Sequence, residues 1–268
     1  MAYIEVEPGV KIFYRDLGNP QGRPIVFVHG WTLNHQSWDR QIQEFQKDYR
    51  LIVLDLRGHG DSDKPTGGYE VDRLAADVAA VIAGLDLRDV TLIGWSFGGT
   101  TSIRVAAQDN GRLSQLVLVN AAGPKYTADE TCNYGHPAST IEDWISQERN
   151  DLETWRAGVM ASMPKEPYSD TRLAWLTQQS LRTPSWAAAP MLAACCAADL
   201  REDLPSISVP TLVCHGVSDV FCAVDGAEML ESGIPKGTLV KFENSGHSPQ
   251  LEEPETFNKT VADFLATN

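Results

Sequence analysis

Five short, almost wholly apolar runs constrain this chain more than any other feature: Ile25-Val26-Phe27-Val28, Leu51-Ile52-Val53-Leu54, Val90 to Ile93, Leu116 to Val119 and Thr211 to Cys214. A sheet with one face in water alternates apolar and polar residues. A run without that alternation must bury both faces, the condition of a strand inside a parallel sheet covered by helices. The segments between the runs supply those helices. Trp38, Ile42, Phe45 and Tyr49 recur at spacings of three and four, as do Leu74, Val78, Val81, Ile82 and Leu85. Residues 97–108 read as a third helix, and Phe257, Val261, Phe264 and Leu265 mark a last one. Strand alternating with helix predicts an α/β fold with a doubly wound, mostly parallel sheet. Residues 3–7 and 10–16 flank Pro8-Gly9 and predict a leading hairpin, and Thr238 to Phe242 predicts a final strand.

The alternation stops near Pro124. From there to about residue 200 the chain reads as helical and irregular, with Pro at 137, 164, 167, 184 and 190 and four of the seven tryptophans, at 144, 155, 175 and 186. The expected organisation is therefore one α/β core made of residues 1–123 and 201–268, with 124–200 inserted as a helical cap.

Charge and cysteine usage narrow the function classes. Asp and Glu number 36 against 22 Lys and Arg, a net charge of −14. Nucleic-acid binders and polybasic membrane-surface proteins need a positive field, so neither kind of partner is expected. The five cysteines, at 132, 195, 196, 214 and 222, form no CxxC pair and predict buried free thiols rather than a disulfide framework or a zinc site. The first fourteen residues carry no basic stretch followed by an apolar one, and no long apolar run follows, so a cytoplasmic protein is expected. No HExxH motif, Walker A loop or strand-borne GxGxxG is present, so neither metal nor nucleotide cofactor is expected.

The chemistry-bearing motif is Gly94-Trp95-Ser96-Phe97-Gly98, followed by Gly99, between the third run and the helix after it. Small flanking residues at a strand-to-helix junction allow a sharp turn that holds a serine oxygen at the strand's carboxyl end. Serine attacks a carbonyl only when a base takes its proton. His247, in Asn244-Ser245-Gly246-His247-Ser248 after the last strand, is the candidate base. Asp219, four residues beyond His215 at the end of another strand, is the candidate carboxylate, with Asp225 a weaker alternative. The backbone N–H groups of Trp31 and Phe97 are candidates for the oxyanion hole. His29, His59 and His215 read as turn and loop braces. Trp155 and Trp186 are the candidates for lining a substrate pocket, with Met160 and Met163 adding deformable apolar surface.

Taken together, His29-Gly30-Trp31, Asp55-Leu56-Arg57-Gly58-His59-Gly60-Asp61-Ser62, Gly94 to Gly99, His215-Gly216-Val217-Ser218-Asp219 and Gly246-His247 resemble the α/β-hydrolase superfamily, from about Val10 to the C-terminus. Within it, His29-Gly30-Trp31 and the Arg57–Ser62 loop resemble the branch of carboxylesterases, serine-type lactonases and cofactor-free haloperoxidases (perhydrolases). Haloalkane dehalogenases and epoxide hydrolases place Asp where this chain has Ser96. The resemblance implies an α/β-hydrolase fold and cleavage of a small-molecule ester or lactone, through an acyl-enzyme on Ser96. Acyl-homoserine lactones are a lactone class that some capped members hydrolyse. The alternatives it leaves are a perhydrolase, in which peroxide replaces water, and a small-molecule receptor that keeps the fold and triad.

Overall fold

In the computed structural model, which describes residues 2–267 and leaves Met1 and Asn268 outside the described residues, the apolar runs lie side by side. Among the described residues the strands are β1 (Ala2–Glu7), β2 (Val10–Gly18), β3 (Pro24–Val28), β4 (Arg50–Leu54), β5 (Val90–Trp95), β6 (Leu113–Val119), β7 (Thr211–Gly216) and β8 (Gly237–Phe242). They form one sheet in the order β1-β2-β4-β3-β5-β6-β7-β8. The leading hairpin is antiparallel, β2 pairs antiparallel with β4, and the strands from β4 across to β8 are parallel.

The continuous apolar runs now have their physical account. Val26, Val28, Leu92, Leu116 and Leu118 point to one face, and Ile25, Phe27, Ile93, Val117 and Val119 to the other. Helices α2 (Val71–Gly84) and α3 (Phe97–Ala107) cover the first face with Leu74, Val78 and Ile103, and α8 (Val224–Gly233) adds Leu230. On the second face lie Trp38, Phe45 of α1 (Asp39–Phe45), and Phe257 and Val261 of α10 (Pro254–Thr267), which follows the short α9 (Pro249–Glu252). The helix expected across residues 38–49 is shorter than its periodicity. Trp38 closes a 3-10 turn, and Tyr49 lies beyond α1, its ring 6.0 Å from Phe45. Chain reversal explains the truncation: Arg50 N–H already donates to Arg23 O at 3.1 Å as β4 begins.

Between β6 and β7 the chain crosses an irregular stretch and then α4 (Ala138–Asn150), α5 (Leu152–Ser162), α6 (Asp170–Leu181) and α7 (Ser185–Ala197). These helices bond to loops at the carboxyl ends of the strands: Trp31 Nε1–H donates to Ala188 O at 2.9 Å, and His247 N–H to Met163 O at 2.7 Å. The strand order places the crevice. The chain leaves β3 for β4 on one side and then crosses to β5 on the other, so a switch point lies between β3 and β5. The loops after those strands carry Trp31 and Ser96. Among the described residues no helix is long and apolar enough to cross a membrane.

Two glycines test this packing in opposite directions. A Cβ on Gly98 would sit 2.4 Å from His29 O and 2.5 Å from Val28 O, backbone atoms that cannot swing aside. Gly158, inside α5, would meet nothing within 4 Å. Gly98→Ala is expected to cost about 3 kcal/mol by overpacking, and Gly158→Ala to stabilise by about 0.5–1 kcal/mol through helix propensity. Urea unfolding of both variants checks the pair; a tolerated Gly98→Ala contradicts the close approach.

Candidate active site

Ser96 occupies a backbone conformation that side chains normally avoid, φ 54° and ψ −118°. The strain persists because the surroundings leave no alternative. Ser96 N–H donates to Val119 O at 2.9 Å, while its carbonyl accepts from Thr100 and Ala122 N–H groups at 3.1 and 3.2 Å. The glycines around it are required by space. A Cβ on Gly94 would lie 2.4 Å from Gly98 O, and one on Gly99 2.6 Å from Ala121 Cβ. The serine side chain is thereby lifted off the end of β5 toward the crevice.

The structure brings Ser96, His247 and Asp219 together. His247 Nδ1 is 2.7 Å from Asp219 Oδ2, and its Nε2 is 2.9 Å from Ser96 Oγ. A carboxylate only accepts, so Nδ1 carries the proton, and Nε2 is free to accept from the serine hydroxyl. Asp225 stands exposed in the first turn of α8 and takes no part in this chain of bonds. The Asp219 side chain is fully buried. Burial alone would push its carboxyl up, but the adjacent His247, with bonds from His247, the Asn120 side chain and Phe221 N–H, holds it below the ordinary carboxylate range. It is held as an anion facing the imidazole. The imidazole is fixed at its backbone as well, because His247 N–H donates to Met163 O and His247 O accepts from Trp95 Nε1 at 2.8 Å.

Asn120 has no counterpart in the sequence reading. Its Nδ2 donates to Asp219 Oδ2 at 2.7 Å and to Gly246 O at 3.2 Å, and its Oδ1 accepts from Gly216 N–H at 3.1 Å. One buried amide thus ties the ends of β6 and β7 to the His247 loop. The only sequence signal was a polar residue directly after an apolar strand, which also describes an ordinary turn.

On the other side of Ser96, neither Trp31 N–H nor Phe97 N–H has an acceptor among the described residues, and both residues border the cavity that Ser96 and His247 border. The residue after Trp31 is held firmly. Thr32 N–H donates to His59 Nε2 at 3.0 Å, and Leu56 N–H donates to His29 Nε2 at 3.0 Å. Both acceptors are neutral imidazoles: complete burial, foremost, holds His29 and His59 below the usual histidine range. The loop expected to be a brace is one. Buried Asp55 accepts from His35 N–H and Asp61 N–H at 2.6 and 2.7 Å, and Gly60 leaves room for its carboxylate, which a Cβ would meet at 2.0 Å.

The cavity before Ser96 offers about 70 Å³ to the centre of a water-sized sphere and is walled mainly by Trp144, Trp155, Met160, Met163, Leu192 and Phe221. Trp155 stands where a pocket residue was expected. Trp186 does not: it opens α7 on the outside, 60% exposed, and takes no part in the wall. Trp144 occupies the position instead, 6.2 Å from the Trp155 ring. Cys195 also touches the cavity, but burial pushes its thiol up to about 12, so it remains protonated and is no rival nucleophile. Among the described residues, Asp219–Cys222–His247 and His35–Asp55–Asp61 bring possible ligand atoms within 4.8 Å of one another. Hydrogen bonds already use the Asp219, His247 and Asp55 atoms, and burial keeps the Cys222 thiol protonated, so neither group presents a prepared metal site.

Known proteins resemble this chain over nearly its full length. A family profile described as alpha/beta hydrolase fold matches residues 23–254. The AB hydrolase superfamily protein YisY of Bacillus subtilis is 38% identical over 264 residues, 98% of each chain. A non-heme chloroperoxidase of Streptomyces lividans is 36% identical over 278 residues, 99% of each. Among solved structures, an esterase from Exiguobacterium antarcticum superposes with a TM-score of 0.95 at 31% identity, covering 99% of each chain.

The neutral imidazoles make stability depend on pH. His29 and His59 titrate below their unfolded value, so on acidification the unfolded chain takes up protons that the folded one refuses. Their contribution is complete above about pH 6.5 and is lost below it, by up to about 1.4 kcal/mol per pH unit for each imidazole. Calorimetry between pH 7.5 and 5 should show a falling Tm in the wild type and a shallower fall in His59→Gln. A Tm flat across that range contradicts the neutral assignment.

Proposed function

This chain belongs to the alpha/beta hydrolase fold family, and from that premise we propose that it is a serine hydrolase acting on small carboxylic esters or lactones through an acyl-enzyme. The observation that carries the reading is the unbroken relay Asp219–His247–Ser96, with bonds of 2.7 and 2.9 Å, opening on an apolar cavity. Ser96 Oγ attacks the substrate carbonyl as His247 Nε2 takes its proton. Asp219 stabilises the imidazolium and fixes its tautomer. The tetrahedral oxyanion accepts bonds from Trp31 and Phe97 N–H. His247 then protonates the departing alkoxide, and in a lactone that oxygen stays tethered to the acyl group. Water, deprotonated by His247, cleaves the ester on Ser96 and restores the hydroxyl.

Helices α4–α7 act in this reading as a cap, and their side chains set which acyl group enters. A cavity of about 150 Å³ takes a benzene molecule. The 70 Å³ here therefore suits acyl groups of roughly two to four carbons, and the long chains of many acyl-homoserine lactones fit it poorly. A second reading, perhydrolysis, is favoured by the chloroperoxidase relative. In it hydrogen peroxide attacks the same acyl-enzyme, giving a peracid and free Ser96. The five cysteines are all unpaired, which suits a reducing compartment such as the cytoplasm.

Ser96→Ala should lower steady-state hydrolysis of nitrophenyl acetate by about 10⁴-fold or more while leaving the fold intact. A wild type that stops after one turnover fits a receptor, not an enzyme. Trp155→Ala and Trp144→Ala should move the optimum of kcat/KM toward longer acyl chains, by roughly fourfold per added carbon, from about 0.8 kcal/mol per buried methylene. Trp186→Ala should leave the profile unchanged. A profile indifferent to all three removes Trp144 and Trp155 from the acyl pocket.

A further inference from the structure

The most extensively bonded buried charge in the cap helices makes no contact with the triad. Arg156 on α5 and Glu148 on α4 are both fully buried. Arg156 Nε and Nη2 donate to the two Glu148 carboxylate oxygens at 3.0 and 2.6 Å. Its Nη1 donates to Ser180 O and, at 2.6 Å, to Thr183 O. Those two residues in turn hold Thr32: Ser180 Oγ lies 2.7 Å from Thr32 Oγ1, and Thr183 Oγ1 donates to Thr32 O at 3.0 Å. The guanidinium also lies 5.8 Å from the centre of the Trp31 ring, whose Nε1 is bonded to Ala188 O.

Thr32 explains why so much is anchored there. It is β-branched and has φ 61°, in the left-handed region that such a residue rarely enters. A strained residue of this kind persists only where its surroundings over-determine it. All three of its polar groups are engaged, its N–H by His59 and the other two by the Arg156-held turn. The residue before it is Trp31, whose N–H, one peptide further back, is the oxyanion donor of the reaction proposed above. Stability alone does not call for two buried charges, since a well-packed apolar pair serves as well or better. What the bidentate, planar guanidinium supplies is direction.

We propose that Arg156 is a positioning residue: paired with Glu148, it clamps the 180–183 turn and through Thr32 aims the Trp31 N–H at the oxyanion. The inference rests on the serine-hydrolase reading, and the experiment separates the two. In Arg156→Met/Glu148→Leu both charges go together, so neither is orphaned. Ser180→Ala/Thr183→Val keeps the ion pair and cuts only its link to Thr32. With active sites titrated by a fluorophosphonate, kcat for nitrophenyl acetate should fall about 10- to 100-fold in the first variant and about tenfold in the second, as for a donor partly out of line. KM should stay within about twofold, and the acid limb of the pH profile should not move. Affinity for ethaneboronic acid, whose tetrahedral adduct on Ser96 fills the oxyanion position, should fall by the same factor as kcat. A merely structural clamp changes Tm and the fraction of titratable sites but neither kcat per site nor boronate affinity, and that pattern overturns the proposal. Should the charge-free variant not fold, the link variant decides by the same readouts. Ser96→Ala runs alongside. Full activity in it removes the hydrolase reading and the clamp with it, whereas an inert Ser96→Ala beside unchanged clamp variants removes the clamp alone.

Discussion

The close seating of α3 against β3 and β6 is the constraint on which the site depends. The first turn of that helix lies so near the sheet that Gly98 faces the carbonyls of Val28 and His29 with no room for a methyl group, and Gly99 is pressed on Ala121. That contact forces the chain between β5 and α3 through the strained conformation at Ser96. It also brings the end of β3, with Trp31, beside the start of α3, with Phe97. The proposed nucleophile and the two N–H groups proposed as oxyanion donors are thus brought together by backbone packing before any side chain is considered.

The helices between β6 and β7 are anchored at both sides of the crevice. Met163 O accepts the N–H of His247 on one side, and the Arg156-held turn engages Thr32 on the other. A segment bonded to both the imidazole loop and the donor loop cannot shift without moving one of them. The substrate wall and the catalytic geometry proposed here are mechanically linked, which fits a small cavity lined by side chains better than a loose lid. In the proposed reading, adaptation to different acyl groups falls to Met160 and Met163, which line the cavity and whose unbranched chains change shape without backbone movement.

The sheet was legible in the sequence because burial on both faces leaves an unbroken apolar run that little else produces. The relay of Ser96, Asp219 and His247 was legible for a related reason: Ser96 and Asp219 follow such runs and His247 follows the final strand of the same sheet, so all three had to lie at the same edge. The helical segment gave no such rule. In α7, the residues after Trp186 run Ala187-Ala188-Ala189 and leave small apolar side chains on every side of the helix, so nothing marked Trp186 as facing outward. A usable signal did exist in α4, where Ile141, Trp144, Ile145 and Glu148 share one stripe at helical spacing. Trp144 belongs to the inner face on that pattern, and a carboxylate on the same stripe needs a buried cation, which the structure supplies as Arg156. Asn120 carried no mark, because hydrogen bonds to Asp219 and Gly246 span 99 and 126 residues of chain.

The central claim is that Ser96 becomes acylated during turnover, and mass spectrometry of the quenched enzyme tests it most directly. The enzyme is mixed with excess nitrophenyl acetate, stopped with acid in the steady state and digested. The account predicts one acetyl group per chain, on the peptide containing Ser96, appearing no more slowly than nitrophenol is released and disappearing once substrate is exhausted. Steady turnover with no adduct on that peptide, or with the acetyl group on another residue, contradicts it.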